Sequence, residues 1–229
     1  MMLPLVLIPG MMCDARMWGV LPGALAPRPV IHALPVGADS MAGIADAILA
    51  AAPPRFALAG LSMGGIVAME MLARQPPRIE RLALLDTNPR AERPEVQARR
   101  APQIARVRAQ GLERVMRDEL VPNYLAQDSD AIADLCVDMA LALGPDVFEQ
   151  QSLALRDRSD RQAVLAGFAG PALVLTGDDD RLCPMDRHEL MHALMPQSRL
   201  AVIAGAGHLP PLERPVETLA ALRRWLEDA

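Results

Sequence analysis

Six short apolar runs, at residues 3–8, 30–34, 55–59, 81–86, 172–176 and 200–203, constrain this chain more than any other feature. Each is nearly continuous in apolar residues rather than alternating with polar ones. Strands of that kind are covered on both faces, as in a parallel sheet flanked by helices. Stretches with helical spacing separate them, at 40–52, 63–74, 184–194 and 215–225. Ser40 stands where an N-cap is needed, and Pro184 and Pro215 suit first-turn positions. The rhythm breaks between Asn88 and about Gly170, where no strand pattern occurs. Apolar residues there recur at helical spacing: Ile104, Val107, Leu112, Val115 and Met116, then Ile132, Leu135, Val137, Met139 and Leu143. The expectation is an α/β fold with a mostly parallel central sheet of about six strands. Residues 1–87 and 171–229 form its core, and 88–170 form a helical cap inserted between two strands.

Composition removes several function classes. A chain of 229 residues can bury a sizeable core without disulfides. Cys13, Cys136 and Cys183 are odd in number and widely spaced, which fits free thiols in a reducing cytoplasm. The net charge of −5 argues against a nucleic-acid partner. All 23 basic residues are arginine, so no lysine Schiff base and no P-loop is available. The apolar run at 3–8 is short, lacks a basic flank and is closed by Pro9-Gly10, as a strand would be and a signal peptide would not. No run approaches membrane-spanning length, and no membrane partner is expected.

The chemistry concentrates at Gly60-Leu61-Ser62-Met63-Gly64, between an apolar run and a helical pattern. A serine at a sharp strand-to-helix turn needs small neighbours, and the helix N-terminus beyond it favours developing negative charge. Three further segments follow strands. Asp178, Asp179 and Asp180 offer a carboxylate that could orient an imidazole, and the residues alone do not choose among them. Gly205-Ala206-Gly207-His208 supplies the imidazole after the last strand, so the order Ser…Asp…His is met. Ile8-Pro9-Gly10-Met11 opens a loop after the first strand. The backbone N–H groups of Met11 and Met63 are candidates to hold an oxyanion.

Together these segments resemble the α/β-hydrolase superfamily, specifically its small capped esterases such as the pimeloyl-carrier-protein methyl ester esterases. The matching residues are Pro9-Gly10-Met11, Gly60 to Gly64, Gly177 with Asp180 and Pro184, and Gly207-His208 with Glu213 and Pro215. The resemblance spans nearly the whole chain. It selects Asp180 as the acid and implies that Glu213 is a structural helper. Pro9 replaces the histidine that members commonly carry at the oxyanion loop, and the two N-terminal strands of the full fold are expected to be missing. The implied activity is that of a bacterial serine esterase cleaving a small or medium carboxylic ester with an apolar acyl part, with no cofactor and no metal. A receptor that keeps the fold without turnover is the rival from another class.

Two other features compete for attention. His188-Glu189-Leu190-Met191-His192 is literally H-E-x-x-H, the spacing of zinc peptidases, although a solvated helix face accounts for both histidines. Between Asn88 and Val121 lie eight arginines against five acids. They form either a solvated face or a basic rim for an anionic substrate or an acidic carrier protein. Met139, Leu143 and Phe148 are candidates for the roof of the substrate pocket.

Overall fold

A computed structural model describes residues 2–227. Its sheet has six strands: β1 (Leu5–Ile8), β2 (Val30–His32), β3 (Phe56–Leu61), β4 (Ile79–Leu85), β5 (Ala172–Gly177) and β6 (Arg199–Ile203). Their order is β2-β1-β3-β4-β5-β6, and every pairing is parallel. The apolar runs thus become strands as expected. The inner strands β1, β3 and β5 are buried at every residue, whereas the edge strands β2 and β6 expose several.

Within each inner strand, successive side chains serve opposite faces. Val6, Ile8, Phe56, Leu58, Leu82 and Leu84 face one apolar layer; Leu5, Leu7, Ala57, Ala59, Ala83 and Leu85 face the other. The first layer is closed by α2 (Met41–Ala51), α3 (Met63–Arg74) and α9 (Met185–Leu194). Ser40 caps α2 by accepting a hydrogen bond from Gly43 N–H at 3.2 Å. The second layer contains the short α1 (Leu21–Ala24) and α11 (Pro215–Glu227), whose Leu222 and Trp225 are buried. A one-turn helix, α10 (Pro210–Glu213), leads into α11.

The segment between β4 and β5 is helical, forming α4 (Pro94–Gln110), α5 (Leu112–Val115), α6 (Asp130–Leu143), α7 (Pro145–Arg156) and α8 (Gln162–Ala166). These helices form the cap. Val107, Leu112, Val115, Met116 and Met139 pack in the same apolar layer as Met12, Met17 and Trp18 of the body, so the cap shares the core beneath it. Leu155 and Leu165 instead join the layer of α2, α3 and α9. Among the described residues no helix is long and apolar enough to cross a membrane.

Candidate active site

Among the described residues three non-glycines have positive φ: Met12 (56°), Ser62 (54°) and Asp86 (46°). They follow β1, β3 and β4, so the carboxyl edge of the sheet carries three backbone conformations that each cost about 1–3 kcal/mol. Strain concentrated this way marks the functional edge of an open parallel sheet.

Ser62 sits between β3 and α3 at φ 54° and ψ −117°, and is half-buried. The turn is possible because two neighbours lack a Cβ. One on Gly60 would lie 2.2 Å from the Gly64 carbonyl oxygen, and one on Gly64 would lie 2.1 Å from that of Ile8. The elbow is tied to the end of β4: Ser62 N–H donates to Leu85 O at 2.9 Å, and Thr87 Oγ1 donates to Ser62 O at 2.7 Å. Met63 is the first residue of α3, so its N–H has no acceptor within the helix.

The loop after β1 carries Met11, whose N–H has no acceptor among the described residues. Its neighbour Met12 N–H donates to Gln151 Oε1 at 2.8 Å, while Gln151 Nε2 donates to Pro35 O at 3.0 Å. The fully buried Gln151 of α7 therefore fixes a strained residue next to Met11. Nothing local in the sequence pairs positions 12 and 151.

The three aspartates after β5 separate by environment. Asp178 and Asp179 are exposed, and Asp178 Oδ1 accepts from Gly205 N–H at 2.7 Å. Asp180 is buried, its Oδ1 accepting from Leu182 N–H at 2.8 Å and Cys183 N–H at 3.0 Å. Its Oδ2 lies 2.9 Å from His208 Nδ1. Burial would raise its pKa, but the charge and hydrogen bond of His208, with the two N–H donors, bring it down to about 2. Asp180 is thus ionised at neutral pH. His208 is 4% exposed, and its N–H donates to Tyr124 O at 2.7 Å. Glu213 accepts from the N–H groups of Gly207, Leu209 and Ala126 at 2.8–3.0 Å, clamping the histidine loop to the cap. It stands in the helper's place that the resemblance implies.

Ser62, His208, Gly10 and Met11 line one cleft of about 680 Å³. Its apolar wall includes Ile66, Val96, Leu120, Tyr124 and Leu155. The roof expected from Met139, Leu143 and Phe148 is a correction. None of the three lines this cleft; Met139 and Phe148 are fully buried, and the half-buried Leu143 packs against the same apolar cluster. Their helical spacing serves the cap-to-body contact instead. Of the eight arginines between Asn88 and Val121, Arg90, Arg93, Arg99 and Arg100 line the cleft. Arg106, Arg108, Arg114 and Arg117 do not, and each pairs with nearby acids. Arg158, Arg181 and Arg187 complete the basic lining.

The two histidines of the H-E-x-x-H stretch also need correction. His188 is fully buried rather than solvated. Its Nε2 accepts from Thr87 N–H at 3.2 Å, and its Nδ1 lies 3.4 Å from Pro184 O. Burial pushes its pKa down to about 4, so the ring is neutral and both nitrogens are committed. His192 is half-buried, with Nδ1 2.7 Å from Ser198 Oγ. The pair supports the sheet edge and offers no shared ligand set. Asp86, which no sequence motif marks, is fully buried. Its Oδ1 accepts from Gly177 N–H at 2.9 Å, and burial together with Asp180 raises its pKa well above the ordinary carboxylate range.

Comparisons with known proteins bear on the family and the fold. The profile of the alpha/beta hydrolase family matches residues 5–222. A pimeloyl-[acyl-carrier protein] methyl ester esterase of Yersinia pseudotuberculosis is 26% identical, covering 98% of this chain and 93% of its own. Its counterpart in Serratia marcescens is 27% identical, covering 97% and 93%. A thermophilic esterase from Thermogutta terrifontis, solved with malate bound, superposes with a TM-score of 0.88 at 29% identity over 98% of this chain and 89% of that one. An enol-lactonase from Burkholderia xenovorans LB400 shares the fold, with a TM-score of 0.87 at 20% identity over 99% and 92%. This chain belongs to the alpha/beta hydrolase family, as a carboxylic ester hydrolase related to the pimeloyl-[acyl-carrier protein] methyl ester esterases.

Proposed function

We propose that the protein cleaves a small or medium carboxylic ester through an acyl-enzyme, with Ser62 as nucleophile, His208 as base and acid, and Asp180 as the orienting carboxylate. The observation that carries this is the 2.9 Å Asp180–His208 pair, whose histidine lines the same cleft as the strained Ser62. Ionised Asp180 holds the imidazole through Nδ1 and leaves Nε2 for the serine. His208 takes the Ser62 hydroxyl proton as Oγ bonds to the carbonyl carbon. The resulting oxyanion is received by the N–H groups of Met11 and Met63, donors of a kind whose loss typically costs about 10²–10³ in rate. The intermediate collapses, the ester C–O bond breaks, and the alkoxide leaves with the proton from His208. Water, deprotonated by the same histidine, then releases the acid and restores Ser62.

The paired acid and imidazole support turnover over mere retention of a ligand. The test is labelling with a fluorophosphonate, followed by mapping of the adduct. A single adduct on Ser62, and loss of ester turnover by at least about 10³-fold in Ser62→Ala with the fold intact, are expected. Turnover near the wild-type value in that variant would overturn the mechanism.

The basic lining of the cleft suits an anionic substrate or an acidic carrier protein, and the names of the Yersinia and Serratia relatives point the same way. Cys13, Cys136 and Cys183 are buried and unpaired, which supports a cytoplasmic setting.

A further inference from the structure

The cleft holds a positive charge that its own side chains do not neutralise. Glu92 is 5% exposed and receives two guanidinium groups. Arg100 donates through Nε to Oε2 and through Nη2 to Oε1, both at 2.9 Å. Arg158 donates through Nη1 to Oε1, also at 2.9 Å. The arginine side chains are only 14% and 10% exposed, so one carboxylate serves two cations almost out of water. A surplus charge in that setting is costly unless an anion joins it. Burial lowers the pKa of Arg158, and the pull of Glu92 does not restore it against the neighbouring arginines.

The surroundings do not supply that anion. Seven arginines line the cleft against two acids, Glu92 and Asp186, in a chain whose net charge is −5. Asp186 is already paired with Arg90 at 3.3 Å. The guanidinium groups of Arg93, Arg99 and Arg181 have no hydrogen bond or ion pair among the described residues. The position of the triad narrows the ligand further. Arg100 Nη1 lies 3.8 Å from Met11 Sδ, so the surplus charge begins one side chain away from the proposed oxyanion loop. An anion bound there would belong to the molecule being cleaved, a few carbons from the reacting carbonyl.

We propose that Arg100 and Arg158, spaced by Glu92, form a carboxylate-binding subsite, and that the preferred substrate is an ester carrying its own carboxylate, a half-ester of a short dicarboxylic acid. The guanidinium fork matches carboxylate geometry and is weakly hydrated, which suits a partly dry pocket. Arg158→Met removes one cation and leaves Glu92 paired with Arg100, so no buried carboxylate is orphaned. The proposal rests on the ester-hydrolase reading, and the experiment separates the two.

The rates of monomethyl glutarate and methyl valerate, its uncharged counterpart, are compared in wild type, Arg158→Met and Arg106→Met. Wild type should favour the half-ester. Arg158→Met should lose about 10–100-fold in kcat/KM on the half-ester, chiefly through KM, and far less on methyl valerate. Arg106→Met, whose side chain pairs with Glu119 outside the cleft, should move neither. Binding of glutarate to Ser62→Ala, measured by calorimetry, should be present and should vanish when Arg158→Met is added. Equal losses on both esters, or no preference for the half-ester, would overturn the subsite. A fluorophosphonate adduct on Ser62 without glutarate binding leaves ester hydrolysis standing and removes the subsite; glutarate binding without the adduct does the reverse.

Discussion

Asp178, Asp179 and Asp180 are chemically identical, and one hydrogen-bonded turn makes them unequal. Asp180 is turned inward onto two backbone N–H groups and His208, whereas Asp178 braces Gly205 at the surface. Asp180→Asn should therefore lower kcat by about 10³–10⁴, because the amide no longer selects the required tautomer. Asp178→Asn should change kcat little; an equal loss would show that the acid is misassigned. His188 gives a pH signature that reads stability rather than rate. Its pKa lies near 4 in the folded protein against 6.5 in the unfolded chain. As pH falls from 6.5 toward 4 the unfolded state takes up a proton and the folded state does not, so stability is lost in that window. Asp86, with its raised pKa, acts in the opposite sense as pH falls. The informative quantity is thus the difference between wild type and His188→Gln. Denaturant titrations should show that difference moving in favour of the variant by about 2–3 kcal/mol between pH 7 and pH 4. A constant difference would mean that His188 does not titrate on unfolding.

At the scale of elements, the β3–α3 turn was legible and the cap was legible only in outline. Gly60, Ser62 and Gly64 are neighbours in sequence and act on one another directly, so the constraint is local. The cap helices form where the spacing places them, but spacing alone does not say what their apolar faces touch. Phe148 and Gln151 both lie on α7 and both point inward, yet one packs in the core and the other secures Met12. Phe148→Ala should cost about 3–5 kcal/mol of stability, since a fully buried aromatic leaves a cavity. KM for small esters should stay close to the wild-type value, as checked by thermal unfolding beside steady-state kinetics. A large rise in KM with unchanged stability would return Phe148 to the pocket. Because cap and body share one apolar layer, the cap helices should lose structure in the same transition as the sheet.

Across the whole molecule, the sequence by itself determined what depends on near neighbours and on order along the chain. The parallel six-stranded sheet followed from runs that are apolar throughout, because strands covered on both faces require it. The serine turn followed from two glycines that leave no other residue room. Tertiary structure decided what depends on contacts between distant positions. The eight arginines between Asn88 and Val121 look alike in sequence, but folding turns four into the cleft that Ser62 lines and leaves four among surface acids. His188 belongs to a polar stretch, and only the approach of Thr87 makes it a buried acceptor. Glu92 and Arg158 stand 66 positions apart, and their shared charge exists only once the two ends of the cap segment fold together. Burial and charge balance are properties of the assembled surroundings, so no window of sequence contains them.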